Sequence, residues 1–327
     1  KQLPAYTVNA FEYMDAHFGK YPWPVFTFAQ GGDAGMEYPM LTLITGERHL
    51  GSLVGTSMHE LIHNWYYGVL ASNELASPWM DEGFDEYAGA EVGRVLFPGN
   101  FKGRVHQAAI ESYLRFVDSP DHEPMTVAAD HFATNRAYSV DAYTMGEVLL
   151  DQLGAVMGDS TLHRGLLRYF NACGFHHPGP LDVQRVMEKE SGLQLDWYFN
   201  EWINTVRKLD YAVNKVTPKG DSTVITLERK DEMLMPTDVA VQGIDGSVAF
   251  FHIPLSLELG ARKEQPAGHW QTLKPWPWTD PTYTFTIATP TSKIQRVEID
   301  PFGRLADVDR NNDGMSITPG TQGADAQ

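Results

Sequence analysis

The residues best equipped for chemistry are His59-Glu60-Leu61-Ile62-His63, set in a stretch whose apolar spacing predicts a helix over 52–68. Imidazoles four residues apart lie about 40° apart around a helix and one turn along it, so both can converge on one ion. Glu60 falls between them, beside the ion rather than on it, where a carboxylate can take a proton from an activated water. A hydrolytic zinc site takes three protein ligands and keeps a fourth position open, so a third donor must come from elsewhere. Cys173 is the single cysteine and offers no thiolate cluster. Glu82 is the candidate, because eighteen residues separate it from His63, enough to end one helix, turn and begin an antiparallel one. A bare five-residue motif arises by chance on solvated helices. Here the apolar flanks Leu53, Val54, Leu61, Ile62 and Trp65, with Glu82 opening a second helix, favour a metal site. Glu86, one turn beyond Glu82, is expected to orient a ligand imidazole; a solvated or helix-dipole role is the alternative for Asp81, Asp85 and Glu86.

These residues need a scaffold, and the patterning supplies one. Helices are expected over 7–18, 52–68, 79–95, 101–117, 138–157, 159–172, 181–191 and 196–205, with Ser77 as N-cap and Pro78 in the first turn of the third position in that series. Val25–Gln30 reads as a strand, and Met36–Thr45 as a second one whose Pro39 places it at a sheet edge. Beyond Val206 the texture changes to short β-rich runs at Tyr211–Val216, Thr223–Glu228, Val239–Gln242, Val248–Phe251, Ile253–Leu259, Tyr283–Ala288 and Val297–Ile299. Seven such runs with regular turns predict an antiparallel, Ig-like β-sandwich over 206–306. Residues 307–327 are expected to be a turn and a disordered tail, with Asp309–Gly314 an Asx-rich turn rather than a calcium loop, since position twelve is Gly320.

The chain of 327 residues carries 43% apolar residues and a formal net charge of −17. Such a charge argues against nucleic acid, whose binding needs basic patches; solubility alone accounts for it, and attraction of a cationic group such as a peptide's amino terminus is the alternative. No stretch approaches the ~20 apolar residues of a membrane span.

The pattern HELIHNW, followed at this spacing by the Glu of Asp81-Glu82-Gly83-Phe84, resembles the gluzincin zinc aminopeptidases of the aminopeptidase N and leukotriene hydrolase family (peptidase family M1-like). Further segments carry the likeness. Ala34-Gly35-Met36-Glu37-Tyr38 resembles that family's GAMEN strand, with Ala34 for its first Gly and Tyr38 for its Asn. Tyr138 to Gly146 resembles its tyrosine segment, and Leu195 to Ile203 the aromatic close of its catalytic domain. The fold implied is α+β, a thermolysin-like catalytic domain over 1–205, lacking upstream residues, followed by the sandwich. The family's preceding β-rich domain and its closing helical superhelix have no counterpart in these residues.

The resemblance implies one zinc ion on His59, His63 and Glu82, with Glu60 as general base. Tyr143 would stabilise the oxyanion and Glu37 would bind the substrate's free α-amine, with Gly35, Met36 and Tyr138 lining the substrate site. Peptides with a free N-terminus are the expected substrates. The alternatives are a thermolysin-like endopeptidase and a non-catalytic scaffold of the same fold. The expected compartment is periplasmic or secreted, with the signal peptide outside this chain.

Overall fold

The computed structural model describes residues 2–32, 34–262 and 268–317. The chain is mixed α and β and divides into two compact units, Lys1–Val206 and Arg207–Gln327.

The first unit opens with α1 (Leu3–His17) and a small sheet of β1 (Thr27–Gln30), β2 (Gly35–Met36) and β3 (Leu41–Ile44). Helices α2 (Leu50–His63), α3 (Glu82–Leu96), α4 (Gln107–Leu114), α5 (Asn135–Tyr138), α6 (Met145–Met157), α7 (Asp159–Cys173), α8 (Pro180–Ser191) and α9 (Asp196–Asn204) follow. Two segments widen into π-helical turns, Asn64–Val69 directly after α2 and Ser139–Thr144 between α5 and α6. Such turns concentrate at functional sites, and here one follows His63 and the other contains Tyr143.

The sheet order is β1-β3-β2, with β1 parallel and β2 antiparallel to β3. The single strand expected over Met36–Thr45 is therefore two strands. Pro39 has no N–H to give a ladder, and Met40 takes φ 62°, so the chain reverses there and returns as β3. The edge position falls to β2, and β3 becomes central. The reversal is tied to the helix behind it, because Met40 N donates to Asn64 Oδ1 at 2.8 Å. Arg48 adds a second tie, donating to the carbonyl of Ala34 at 3.0 Å and to Thr56 Oγ1 at 2.6 Å.

Two further expectations shift. The helix expected over 101–117 is confined to Gln107–Leu114, since Gly103 adopts φ 93° and turns the chain before it. Ser77 makes no side-chain cap; Pro78–Met80 form a 3₁₀ turn, and Asp81 stands at the N-cap of α3.

Helices α3 and α6 meet at glycines. A Cβ on Gly83 would lie 2.5 Å from Gly146 Cα and 3.0 Å from the carbonyl of Ala142. Neither residue can carry a side chain without separating the helices, and the approach sets Glu82 beside Tyr143.

The second unit holds β4 (Tyr211–Lys219), β5 (Ser222–Arg229), β6 (Thr237–Gly243), β7 (Val248–Ile253), β8 (Trp270–Thr272), β9 (Thr282–Ile287), β10 (Ile294–Ile299) and β11 (Gly314–Ser316). They form a sheet β11-β10-β6-β7-β8 and a sheet β4-β5-β9. The pairing is antiparallel except for β7 with β8, which is parallel and departs from the expected pattern. The strand expected over Ile253–Leu259 is absent: Pro254 ends the ladder, and Leu255 makes only a bridge to Trp276. The expected disordered tail also changes. Met315 and Ser316 pair with β10, and Asp307 accepts from Tyr211 N at 2.8 Å, so 307–317 belong to the unit. An edge strand this short is held by backbone bonds, which leave no apolar signature. The remainder of that tail, 318–327, lies outside the described residues. Asp309 accepts from Asn311 N and Asn312 Nδ2, an Asx-type turn.

Gly146→Ala should therefore cost about 1–3 kcal/mol through overpacking, read as a lower denaturant midpoint with unchanged slope. An unshifted midpoint would show that the crossing is slack.

Candidate active site

Helix α2 buries Val54, Met58, Leu61 and Ile62, and the turn that carries these inward also carries Glu60 and His63. Helix α3 is less ordinary. Asp81 at its N-cap and Glu82, Asp85 and Glu91 within it are all buried. Burying carboxylates is costly unless each meets a partner, and the partners come chiefly from histidines.

His63 Nδ1 faces Asp81 Oδ1 at 2.8 Å, and His59 Nδ1 faces Asp85 Oδ2 at 2.7 Å. Each imidazole thereby turns its Nε2 toward the same point. The two Nε2 atoms are 3.3 Å apart, and Glu82 Oε2 stands 3.3 Å from that of His63 and 3.5 Å from that of His59. Donors bound at zinc distances to a tetrahedral centre sit roughly 3.3–3.5 Å from one another. Glu82 Oε2 is buried with no hydrogen-bond partner, an orphaned acceptor that a cation satisfies. Two imidazoles and a carboxylate are also the donor types of catalytic zinc, so the residues fit the ion. Asp85 comes within 4.8 Å of both histidines as well. Its 2.7 Å approach to a ring N–H edge makes it the orienting partner, whereas Glu82 is nearly equidistant from both Nε2 atoms.

The electrostatics agree with a cation. Burial works against protonating the imidazoles, yet the carboxylates around them, Asp85 foremost, hold both well above the ordinary histidine range. Burial would raise Glu82, but its contacts with His59 and His63 outweigh that and bring it to about 2. A site that attracts protons this strongly attracts a dication for the same reason.

Glu60 is 5% exposed, and burial lifts its carboxyl to about 7 against the pull of His59 and His63. Its position is set from the far side by Gly35. A Cβ there would overlap Glu60 Oε1 and stand 2.8 Å from Glu60 Cδ and 2.7 Å from Thr56 Cγ2. Next along the chain, the Met36 carbonyl accepts from Thr42 Oγ1 at 2.9 Å, while the Met36 side chain is 39% exposed. Glu37 offers a carboxylate oxygen within 4.8 Å of donors on Glu60 and His63, and burial raises its pKa. Tyr143 donates its phenol O–H to Glu82 Oε1 at 2.5 Å, and burial followed by Glu82 pushes that phenol up. Tyr138 packs edge-on against Tyr143, ring centroids 5.7 Å apart.

The structure thus gathers His59, Glu60, His63, Glu82, Glu37, Gly35 and Tyr143 at one place, with Tyr138 against the last. The orienting role expected of Glu86 falls instead to Asp85. Glu86 lies 3.4 Å from His59 Nδ1 with 40% of its side chain exposed, while Asp85 is fully buried. Asp81 and Asn64 were also hidden from the spacing argument. Both flank the motif, but only the fold shows Asp81 on His63 and Asn64 on Met40.

Residues 6–202 match the peptidase family M1 domain. The chain belongs to peptidase family M1. Rat (Rattus norvegicus) aminopeptidase B is 31% identical to this chain over 256 residues, covering 70% of this chain and 38% of its own length. Probable aminopeptidase 1 of Sulfurisphaera tokodaii is 21% identical over 209 residues, covering 63% of this chain and 25% of its own length. The chain therefore spans well under half of these relatives. The crystal structure of Legionella pneumophila aminopeptidase A in complex with aspartic acid aligns with a TM-score of 0.65 over 93% of this chain and 34% of that one. At 12% identity this is a likeness of fold.

Neutralising the carboxylate that faces each imidazole should loosen the ion. Asp81→Asn and Asp85→Asn should each weaken zinc binding about 10–100-fold in chelator competition, with Glu86→Gln much nearer wild type. An equal loss for Glu86→Gln would return the orienting role to that residue.

Proposed function

We propose that this M1 chain is a zinc aminopeptidase that removes the N-terminal residue from peptides, using one ion on His59, His63 and Glu82. Its first unit is the thermolysin-like catalytic part and its second a β-sandwich. The observation that carries the reading is Glu37: a half-buried carboxylate at the end of an edge strand, within 4.8 Å of donors on Glu60 and His63. A cationic α-amine held there leaves only the first peptide bond within reach of the base.

Zinc supplies Lewis acidity, acidifying water and polarising a carbonyl. Glu60 takes the proton of the attacking water and delivers it to the leaving amine. Gly35 lets the Glu60 carboxylate reach that position, since any side chain at 35 would displace it. Tyr143 redirects its O–H from Glu82 to the carbonyl oxygen as negative charge builds there. The unpaired backbone of β2 can align an extended peptide beside the ion, as sheet edges do.

Three measurements test this. Glu60→Gln should keep its zinc and lose at least about 10²-fold in turnover; wild-type rates would remove Glu60 from the base role. An aminoacyl arylamide should be cleaved and its N-acetyl form should not, whereas equal rates would favour an endopeptidase. Glu37→Gln should raise KM for the free-amine substrate more than it lowers kcat.

A further inference from the structure

We propose that Asp141 and His122 are positioning residues for the reaction: the pair holds the widened turn that carries Tyr143 and so aims its phenol at the reacting carbonyl. This rests on the oxyanion role proposed for Tyr143.

In the π-helical turn Ser139–Thr144 the chain closes over five residues, with the Met145 N–H donating to the Val140 carbonyl. Such turns are rare and occur as single insertions in α-helices. Tightening this one by a residue would rotate what lies in it by about 100° against the helix that follows. The direction of Tyr143 therefore depends on the turn staying open.

Three successive residues show how it is held. Asp141 is fully buried, and one neighbouring segment takes both its oxygens. Oδ1 faces His122 Nδ1 at 2.7 Å, and Oδ2 accepts from Glu123 N at 2.9 Å. Ala142 packs on α3, where its carbonyl lies 3.0 Å from the place a Cβ on Gly83 would occupy. Tyr143 then reaches Glu82 Oε1. The crossing of α3 and α6 brings the two backbones together, and the grip on Asp141 fixes which way the next side chains point.

His122 is itself locked. Its side chain is 4% exposed, and its ring stands edge-on to Phe116 and Tyr113, with centroids 5.6 and 6.2 Å away. Its backbone N–H donates to the Ser119 carbonyl at 3.1 Å, and Thr126 N ties the same segment to the Ile203 carbonyl of α9 at 3.2 Å.

A buried carboxylate is costly, and an apolar side chain at 141 would avoid that cost. What the carboxylate adds is direction, because a charge-assisted bond and a backbone N–H fix its two oxygens at once. The reaction needs that direction. To meet the substrate carbonyl the phenol must leave Glu82, so its bond to Glu82 cannot hold it at that moment. The backbone two residues upstream can.

The test compares Asp141→Asn and His122→Leu in the zinc-loaded protein and again on a Tyr143→Phe background. Alone, Tyr143→Phe should lower kcat about 10²-fold. Asp141→Asn and His122→Leu should each lower kcat about tenfold or more, with KM and zinc content within twofold. On the Tyr143→Phe background the same changes should cost less than twofold, since the group they aim is gone. In crystals of His122→Leu the Tyr143 oxygen should lie beyond hydrogen-bonding distance of Glu82 Oε1. Full losses on the Tyr143→Phe background, a change confined to KM, unchanged kcat with an unmoved phenol, or failure of both variants to fold assigns the pair to the scaffold and overturns the proposal. A wild-type rate for Tyr143→Phe is a separate failure, for it removes the oxyanion role itself and the proposal with it.

Discussion

Everything at the site follows from the burial of negative charge on α3. Asp81, Glu82, Asp85 and Glu91 are each under 10% exposed, and an ionised carboxylate held away from water must be compensated. The first turn of a helix gives part of that compensation through its unpaired N–H groups. The rest comes from His59 and His63, whose ring N–H edges meet Asp85 and Asp81. Once those edges are taken, the opposite nitrogens have one direction left, toward each other and toward Glu82. The ligand triangle is thus a consequence of how α3 satisfies its acids. Glu91 solves the same problem without an ion, meeting Tyr13, Arg94 and His106.

The helix pair would not hold these distances alone. Tyr143 reaches Glu82 only because α6 approaches α3 to backbone contact, with glycine on both sides of the crossing. The sheet is placed by an equally small set of contacts. Asn64, the residue after His63, bonds the reversal at Met40, and Arg48 holds the carbonyl of Ala34. The segment carrying Gly35 and Glu37 is pinned at both ends to the helix it serves. The segment that bears Glu37 is thereby tied to the helix that carries His59, Glu60 and His63.

What the sequence disclosed and concealed divides along physical lines. The histidine pair is a local pattern, since i and i+4 share a helix face whatever surrounds them, and Glu82 was legible from the length of chain needed to turn back. The division near residue 206 showed as a change from helical to alternating periodicity. Contacts between elements were not legible. Asp85 and Glu86 are neighbours of identical charge, and only the rotation of α3 against α2 decides which one meets His59 at 2.7 Å. Pro39 was visible, but whether it marks an edge or splits a strand depends on Asn64 arriving from 24 residues away. Strands β8 and β11, three residues each, are too short to establish a period of two. The parallel pairing of β7 with β8 follows from the return path of the chain, which no residue pattern encodes.

The glycines of this site fall into two kinds, and the difference separates geometry from capacity. At Gly35, Gly83 and Gly146 a side chain would collide with Glu60, Thr56 or an opposing backbone, so glycine there fixes how closely catalytic groups approach. At Gly51 and Gly55 a side chain would touch nothing within 4 Å, so no contact inside the protein requires its absence. Alanine at Gly55, in the interior of α2, would strengthen that helix by about 1 kcal/mol. The C-terminal turns of α2, by contrast, carry His59, Glu60 and His63, and there Gly35 packs directly against Glu60 and Thr56.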